Sequence, residues 1–464
     1  MDSIKSLVLI LVLAVQSSYA YATNGFHLEA NGPISKAMGG TGVADDIGNY
    51  ALMYNPATLA LMPSDTRISL GLDVIIGDID IFSSTQGSIE GKTQSNNRNP
   101  YIGPALSYAK RIGKSVYGLG LFVEGGIGTE YGSNSFLSST PAGFDTGQNI
   151  SSRLLVLRAP IGMSFKLNDK FSIGGSFDLL WNGWNMDVLL GVDQIGALAK
   201  DNRVSGAAFP AMAGLLGKSG AAYLSSSKNN FLLSGFDSFG WSGKLGFTYQ
   251  ITDKTRLGLV YSLKTRFQDA KGDVKSLLYA SGTNPDAPVN FTGKLTLSDF
   301  QMPAWFAIGF NYTINEKAKV NFDVRHIQYA DSMKNLDFKL ELDGAGDLSL
   351  SVPQNWEDIT VFSVGGAYQY SKNLILRLGA SFANNPVNEN YMLHTLPPIV
   401  KTHLMSGFTY QLSKNSTLDF VFSWAVKNKE INRQQPFNGN GSANPELTIE
   451  VAEYNFQLGY SWLF

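Results

Sequence analysis

The chain has 464 residues and a net charge of −2, with 36 Lys and Arg against 38 Asp and Glu, so no basic field points to nucleic acid as a partner. The absence of cysteine excludes disulfides and thiolate metal sites. Only 16% of the residues are charged, whereas Gly (48), Phe (28) and Tyr (20) are abundant, and no linker divides the chain into separate cores.

The N-terminus has the pattern of a secretory signal peptide. Lys5 precedes an apolar run over 7–15 that is far too short to span a membrane. Small residues then allow cleavage after Ala20 or Ala22, and we favour 1–22 as the signal peptide. No later segment holds 18 consecutive apolar residues, so a helical membrane protein is excluded.

From Arg67 onward, apolar residues recur at every second position, which indicates β-strands. The C-terminal run "YNFQLGYSWLF" is the clearest case. Tight polar turns such as "LNDKF" and "ITDKT" alternate with longer loops rich in Gly, Asn and Ser, and this alternation is typical of an outer-membrane barrel. Such a barrel has no open edge, so its backbone groups stay paired in lipid. We predict an all-β fold over 65–464, a fourteen-stranded antiparallel transmembrane β-barrel with both termini in the periplasm.

The segment 23–64 lacks this alternation. It contains several glycines and short helical pieces, and about forty such residues cannot form a core alone. Because both termini are expected in the periplasm, we predict that this segment is a small N-terminal hatch that plugs the lumen. The alternative is a disordered periplasmic arm, which the apolar content of the segment disfavours.

Several stretches resemble one known family. "GPISKAMGGTGVA", "NYALMYNPATLA", "GTEYG", "SSRLLVLRAPIGMSF" and "LRLGASFANNPV" are similar to the FadL family of outer-membrane channels for hydrophobic compounds. The resemblance spans the mature chain and is closer to the toluene-channel branch than to the fatty-acid branch. It implies a fourteen-stranded barrel, a kinked third strand, and a hatch with an Asn-Pro-Ala motif, which here is Asn55, Pro56 and Ala57.

The third predicted strand, 114–131, contains the stretch "GLFVEGGIGTEYG". Glycine inside a strand usually marks a bulge or a bend, and here Gly125, Gly126 and Gly128 interrupt the alternation. An inward bend at these glycines would open a lateral gap in the wall through which a hydrophobic solute could enter the membrane. The alternative is a bulge that only relieves crowding against the hatch.

Strand parity indicates which side chains face the lumen. On the fifth predicted strand, 169–188, Phe177 and Leu179 should meet lipid, whereas the opposite face becomes apolar toward one end. Porin lumens are usually polar, so inward aromatic side chains favour an apolar ligand, with packing against the hatch as the alternative. The predicted ligand contacts are Phe26, Leu28, Phe122, Leu180, Trp184 and Met186.

The resemblance also implies that fatty-acid channels meet the carboxylate with basic residues, some of them in the fifth strand. Here that stretch, "LLWNGWNMD", offers none, and a buried carboxylate without a cation is costly. A neutral hydrocarbon is therefore favoured, although Arg153, Arg158 or Lys244 could compensate from elsewhere.

The longest predicted loop, 189–235, is rich in Ala, Gly and Leu. That composition in a loop exposed to water predicts short helices with an apolar groove, a first landing site for a solute. Helices that only pack on a neighbouring loop are the alternative.

Nothing in the sequence indicates catalysis. The four histidines are isolated and lack metal-ligand spacing, and no G-x-S-x-G elbow occurs. We predict no catalytic residue, no metal and no cofactor. The prediction is a monomeric channel in the bacterial outer membrane for passive uptake of small hydrophobic molecules, with monoaromatic hydrocarbons such as toluene preferred.

The expected partners are outer-membrane lipids, lipopolysaccharide, a small hydrophobic solute and the outer-membrane assembly machinery. Within transport, the alternative is a long-chain fatty acid transporter. The alternatives from other classes are an outer-membrane lipid hydrolase, which needs a Ser–His pair on neighbouring strands, and an adhesin with decorated loops.

Overall fold

The computed structural model describes residues 24–83, 91–95, 100–226, 235–280, 287–432 and 447–464, so the predicted signal peptide lies outside the described residues. The strands of the described ranges are β1 Thr66–Ser83, β2 Gly91–Ser95, β3 Tyr101–Ile112, β4 Ser115–Gly132, β5 Ile150–Lys166, β6 Phe171–Gly191, β7 Val204–Ser205, β8 Ala221–Ser225, β9 Phe236–Thr252, β10 Thr255–Ser262, β11 Arg266–Phe267, β12 Ala270–Tyr279, β13 Val289–Ser298, β14 Trp305–Asn315, β15 Ala318–Ile327, β16 Asn335–Leu342, β17 Gly346–Pro353, β18 Ile359–Ser371, β19 Leu374–Ala383, β20 Thr402–Ser413, β21 Ser416–Asn432 and β22 Leu447–Leu463. The helices are α1 Pro33–Ala37, α2 Val192–Lys200 and α3 Phe209–Leu216, with 3₁₀ turns at Gly48–Leu52, Pro56–Leu61, Phe136–Ser138 and Tyr329–Asp331.

These strands form one antiparallel sheet that closes on itself. Pairing runs from β1 through β3, β4, β5, β6, β8, β12, β9, β10, β14, β15, β18, β19, β20, β21 and β22 back to β1, a closed barrel of 16 strands. The prediction of fourteen strands is therefore wrong. It treats 189–235 as loop and ends the seventh strand at 268, so it leaves out β8 and β12. These two strands pair with each other between the ends of β6 and β9, which pair directly along the rest of their length.

The wall alternates between an outer apolar face and an inner face. On β6, Phe177 and Leu179 are 52% and 51% exposed, whereas Leu180 and Trp184 are 3% and 0% exposed. Exposed Leu, Ile, Phe and Tyr side chains recur at alternate positions on the other long strands. This outward apolar surface fits a lipid environment. Within the described ranges, no helix is both long and apolar enough to span a membrane.

Residues 24–62 lie against the inner face of the barrel. Helix α1 contacts β19, β20, β21 and β22, and the turn Pro56–Leu61 contacts β5, β6 and β9 on another part of the wall. Lys36 of α1 is fully buried, with its Nζ atom 2.8 Å from Asp73 Oδ1 and 3.2 Å from Glu29 Oε1. Burial opposes ionisation of Lys36, but these two carboxylates outweigh it and raise the Lys36 pKa above its ordinary value. The charged lysine therefore ties the segment to β1.

The Asn-Pro-Ala motif forms a buried anchor of this segment. The Asn55 side chain caps the turn Pro56–Leu61 by accepting a hydrogen bond from the Ala57 amide, 3.1 Å away. Its amide nitrogen donates to the carbonyl oxygen of Val43, in the same N-terminal segment, and to that of Phe247 in β9. Asn55 therefore connects two parts of the segment and attaches them to the wall. A Cβ atom at Gly246 of β9 would lie 1.9 Å from Asn55 Oδ1, which is why the wall carries glycine there. That residues 23–64 act as a plug stays a prediction.

Candidate functional site

The wall has a gap between β3 and β4. These strands pair only from Ile112↔Ser115 to Leu106↔Leu121. Beyond that point β3 continues along β1 as far as Tyr101, and β4 continues along β5 as far as Gly132. Each strand keeps its outer neighbour while the two separate from each other, so their facing backbone edges need other partners.

The N-terminal segment supplies such partners to β4. The Gly126 amide donates to the carbonyl oxygen of Phe26 over 2.9 Å, and His27 forms a bridge with Gly125. The pairing of β4 with β5 shifts register between Val123 and Gly125, which marks a bulge. A Cβ atom at Gly125 would lie only 2.0 Å from the Phe26 oxygen. The glycine is therefore required by the close approach of another backbone.

The other two glycines of this run also face close neighbours. A Cβ atom at Gly126 would lie 2.5 Å from the carbonyl oxygen of Leu154, and one at Gly128 would lie 2.9 Å from the Tyr101 hydroxyl oxygen. The three glycines thus allow β4 to lie between the N-terminal segment, β5 and the end of β3.

A cavity of about 290 Å³ occupies the gap, and we call it the lateral cavity. Its lining includes inward-facing Ile75 and also Ile102, which is 47% exposed on the outer face, so the cavity extends through the wall. The apolar side chains that line it are Leu28, Ile75, Ile79, Pro100, Ile102, Val123, Ile127, Leu154, Leu155, Pro397, Pro398, Val451 and Ala452. The polar lining residues are His27, Glu29, Tyr101, Arg153 and Glu453.

A buried charged cluster lies beside this cavity. Arg158 Nε is 2.6 Å from Glu124 Oε2, and the same guanidinium contacts Asp178. Lys244 Nζ is 2.7 Å from Asp178, so two cations offset two carboxylates. His27 Nδ1 lies 3.2 Å from Glu124 Oε1. Burial lowers the pKa of His27 below its ordinary value although Glu124 opposes this, so neutral His27 donates from Nδ1 to Glu124.

An aromatic cluster holds Phe26 on the lumen side. The Phe26 ring lies 4.6 Å from the Trp356 ring, 6.1 Å from Phe300 and 6.5 Å from Trp184, measured between ring centroids. The Tyr329 hydroxyl accepts from the Phe26 amide over 2.8 Å and donates to the Asn24 carbonyl oxygen over 2.6 Å. These contacts position the segment that pairs with β4.

The six predicted ligand contacts fall in different places. Phe26, Leu180 and Trp184 belong to one buried core cluster, with Met186 packed at its margin. Leu28 lines the lateral cavity instead. Phe122 belongs to a separate cluster, where its ring lies 4.9 Å from that of Tyr50. The structure therefore brings four of the six together and places Leu28 and Phe122 elsewhere, and contact of any of the six with a solute stays a prediction.

The segment 392–400 is an element that the sequence reasoning missed. His394 and Thr395 line a second, apolar cavity of about 70 Å³ together with Met186, and we call this the outer cavity. Pro397 and Pro398, further along, line the lateral cavity. The Thr395 carbonyl accepts from the hydroxyl of Thr129, at 2.9 Å, and from that of Ser152. The apolar run "LPPIV" was the available signal, because loops exposed to water are seldom so apolar.

The predicted short helices of the longest loop are present as α2 and α3. Ile195 and Leu198 of α2, and Met212 and Leu216 of α3, are buried in the same core cluster as Trp184. Within the described ranges, no group of three or more His, Asp or Glu side chains could hold a metal ion. The expectation of no metal, no cofactor and no catalytic residue stays a prediction.

Comparisons with known proteins agree with this geometry. Residues 12–463 match the family described as outer membrane protein transport protein (OMPP1/FadL/TodX). The structure of the toluene transporter TodX of Pseudomonas putida is similar with a TM-score of 0.83 and 35% identity, over 94% of this chain and 99% of that one. The toluene transporter TbuX of Ralstonia pickettii gives a TM-score of 0.77 and 34% identity, with coverage of 94% and 99%.

A long-chain fatty acid transport protein of Salmonella typhi is 25% identical over 424 residues, 90% of each chain. These relatives are transport proteins, and the predictions of the family and of the outer-membrane location are confirmed. The chain belongs to the OMPP1/FadL/TodX family and is an outer-membrane β-barrel channel for hydrophobic compounds.

Proposed function

We propose that the channel admits small monoaromatic hydrocarbons such as toluene by passive diffusion and releases them through the lateral cavity into the membrane. The observation that carries this proposal is an apolar cavity of about 290 Å³ that extends through the wall. An engineered cavity of about 150 Å³ is enough to bind benzene, so one aromatic ring fits with room to move.

The proposed route has four steps. A solute is captured among α2, α3 and the outer cavity, passes the cluster of Phe26, Leu180 and Trp184, and reaches the lateral cavity. It then leaves sideways, because lipid accepts apolar surface that water would penalise by roughly 25 cal/mol per Å². Two toluene transporters about one-third identical to this chain support the choice of solute.

The charges around the lateral cavity disfavour a carboxylate ligand. Glu29 and Glu453 both line it, and like charges in a water-poor site repel strongly. Arg158 and Lys244 are already engaged by Glu124 and Asp178. These two cations are thus committed to protein carboxylates and do not compensate a fatty acid.

One observation favours the alternative, a fatty acid transporter. The Arg325 guanidinium, on β15, lies 5.7 Å from the Trp305 ring and, within the described ranges, makes no hydrogen bond or ion pair. The indole nitrogens of Trp184 and Trp356 likewise have no hydrogen-bond partner among the described residues. A carboxylate in the lumen could be bound by these donors.

An uptake assay in liposomes separates the two solutes. Full-length mature protein should increase the entry of toluene over protein-free liposomes and have a smaller effect on oleate. Arg325→Met should leave toluene uptake unchanged, with exposed Arg266→Met as the matched control. Oleate uptake that exceeds toluene uptake and is lost in Arg325→Met, but not in Arg266→Met, would establish the alternative.

Monomeric assembly, contact with lipopolysaccharide, delivery by the outer-membrane assembly machinery and absence of enzymatic activity belong to the same proposal. The transport proteins reported above as similar to this chain support a channel over a hydrolase or an adhesin.

A further inference from the structure

One carboxyl group that lines the lateral cavity, that of Glu453, has no hydrogen-bond partner among the described residues. Glu453 lies on the inward face of β22, opposite Gly77 of β1 and Ala425 of β21. Its side chain is partly buried and lines the cavity. The Glu453 side chain makes no hydrogen bond and no ion pair with any described residue. A polar group that faces an apolar cavity without a partner is unfavourable.

The other polar lining residues are already occupied. Glu29 pairs with Lys36 over 3.2 Å, and His27 contacts Glu124 through Nδ1. Arg153 and Tyr101 also have interaction partners. Glu453 is therefore a lining carboxyl group whose side chain makes no hydrogen bond or ion pair within the described chain, so both of its oxygens are left for a ligand.

His27 adds a second, weaker feature on the same cavity. The residue is 7% exposed, and its Nε2 atom has no hydrogen-bond partner among the described residues. Because Nδ1 carries the proton toward Glu124, Nε2 is an acceptor in the neutral ring. The cavity thus combines apolar walls with two groups, Glu453 and His27 Nε2, that can accept a hydrogen bond from a ligand.

We propose that the lateral cavity recognises small aromatic molecules that carry a hydroxyl group, such as p-cresol, through a hydrogen bond from the hydroxyl to the Glu453 carboxyl. This inference rests on the proposed function of the lateral cavity as the solute exit, and it extends the substrate class from hydrocarbons to their hydroxylated relatives. A carboxyl group keeps an acceptor oxygen whether it is ionised or protonated, so the assignment does not depend on its charge.

The neighbouring charges select a neutral donor over a cation. An aromatic ammonium would also satisfy Glu453, but Arg153 lines the same cavity and Lys36 sits behind Glu29. A cationic ligand would meet repulsion from both. A carboxylate ligand would meet Glu29 and Glu453 themselves.

The test compares ligands that differ by one group. Toluene, p-cresol and benzylamine are titrated by calorimetry against the full mature protein in lipid nanodiscs, with empty nanodiscs subtracted. The variants are Glu453→Leu and Glu453→Gln. The control is Glu450→Leu, which removes a carboxylate from the opposite face of the same strand, where Glu450 lies near Lys427 and Lys429.

We expect wild type to bind p-cresol more tightly than toluene. Glu453→Leu should lower the preference for p-cresol over toluene about tenfold, the usual loss for one hydrogen bond to an acidic group. Glu453→Gln, which keeps an acceptor oxygen, should retain part of the preference, and Glu450→Leu all of it.

Unchanged p-cresol affinity in folded Glu453→Leu would overturn the inference, as would tighter binding of benzylamine than of p-cresol. If wild type binds toluene, but wild type and Glu453→Leu prefer p-cresol to the same extent, this inference alone is overturned. A wild type that neither binds nor transports toluene contradicts the proposed function instead.

Discussion

The carbonyl oxygen of Phe26 lies 2.0 Å from the position that a Cβ atom of Gly125 would occupy. This approach coincides with the register shift in β4 and with the place where β4 no longer pairs with β3. The N-terminal segment takes over part of the hydrogen bonding that a neighbouring strand would provide. The gap in the wall and the position of the segment therefore depend on each other.

Gly125→Ala should separate these two elements. The added methyl group must displace either Phe26 or β4, at a cost of about 1–3 kcal/mol in the free energy of unfolding. We expect a lower midpoint in urea unfolding and altered toluene uptake. Gly214→Ala is the control, since a Cβ atom on that exposed helical glycine meets nothing within 4 Å. Equal destabilisation by both substitutions would contradict the proposed contact.

A reversible cross-link should close the lateral exit. A Cβ atom at Gly103 of β3 would lie 3.7 Å from the Cβ atom of Val123 of β4, close to the ~3.8 Å typical of disulfides. Because the chain has no cysteine, Gly103→Cys with Val123→Cys introduces a single defined pair. We expect toluene uptake to be lost on oxidation and restored on reduction.

The reduced double variant and each single cysteine variant are the controls for that experiment. They should transport toluene like wild type and migrate as folded barrels in unheated gels. Undiminished uptake in the oxidised, folded variant would show that solute leaves by another route.

Trp184→Ala tests the aromatic part of the route. Trp184 is fully buried, with its ring 6.1 Å from Phe236 and 4.9 Å from Phe300. If its indole contacts the solute, toluene binding should weaken by roughly 1–3 kcal/mol. Trp181→Ala, on the outer face of the same strand, is the matched control. Identical toluene affinity in wild type and Trp184→Ala would remove this residue from the route.

Removal of the N-terminal segment tests whether it plugs the barrel. Deletion of residues 23–62 removes α1, both 3₁₀ turns before β1 and the Lys36 ion pairs. We expect conductance in planar bilayers to rise from nearly closed to porin-like values. An unchanged conductance in folded protein would contradict the predicted plug.

His27 should make stability depend on pH. Because burial lowers its pKa in the folded state, the unfolded chain binds a proton first as the pH falls below the ordinary value of about 6.5. Stability is therefore lost on acidification, by at most about 1.4 kcal/mol per pH unit from this group. Urea unfolding between pH 7 and 5 should show a shallower dependence in His27→Asn than in wild type. An identical slope would remove His27 as the cause, and half-exposed His326→Asn is the control.

The sequence predicted the features that arise from local patterns. Alternation placed Leu180 and Trp184 inside and Phe177 outside, and the glycine run identified the irregular part of β4. It could not predict that five residues at 221–225 would pair with Asp187–Gly191 on one side and with 275–279 on the other. Such a short strand has too few residues to show a period, and its partners are distant in sequence.

The residues of the candidate site also depend on contacts between distant segments, which local sequence patterns do not predict. Phe122 shares the inward face of β4, but parity says nothing about height along the barrel, and the ring packs on Tyr50 in a different cluster. Phe300, Tyr329 and Trp356 all lie outside the strands, so no periodicity identified them. The sequence did not identify Glu453 as a site residue for a different reason. One inward carboxylate on a strand is ordinary, and only the cavity in front of it makes it distinctive.

The ion pairs of Lys36 also have a consequence for the permeability of the outer membrane. Glu29 and Asp73 hold a charged helix against the inner wall, while the apolar cavity opens sideways toward lipid. If residues 24–62 close the lumen as predicted, apolar solutes pass the outer leaflet's lipopolysaccharide without any wide aqueous passage for hydrophilic molecules. A lateral opening would in this way separate the uptake of apolar solutes from the barrier that the membrane presents to hydrophilic ones.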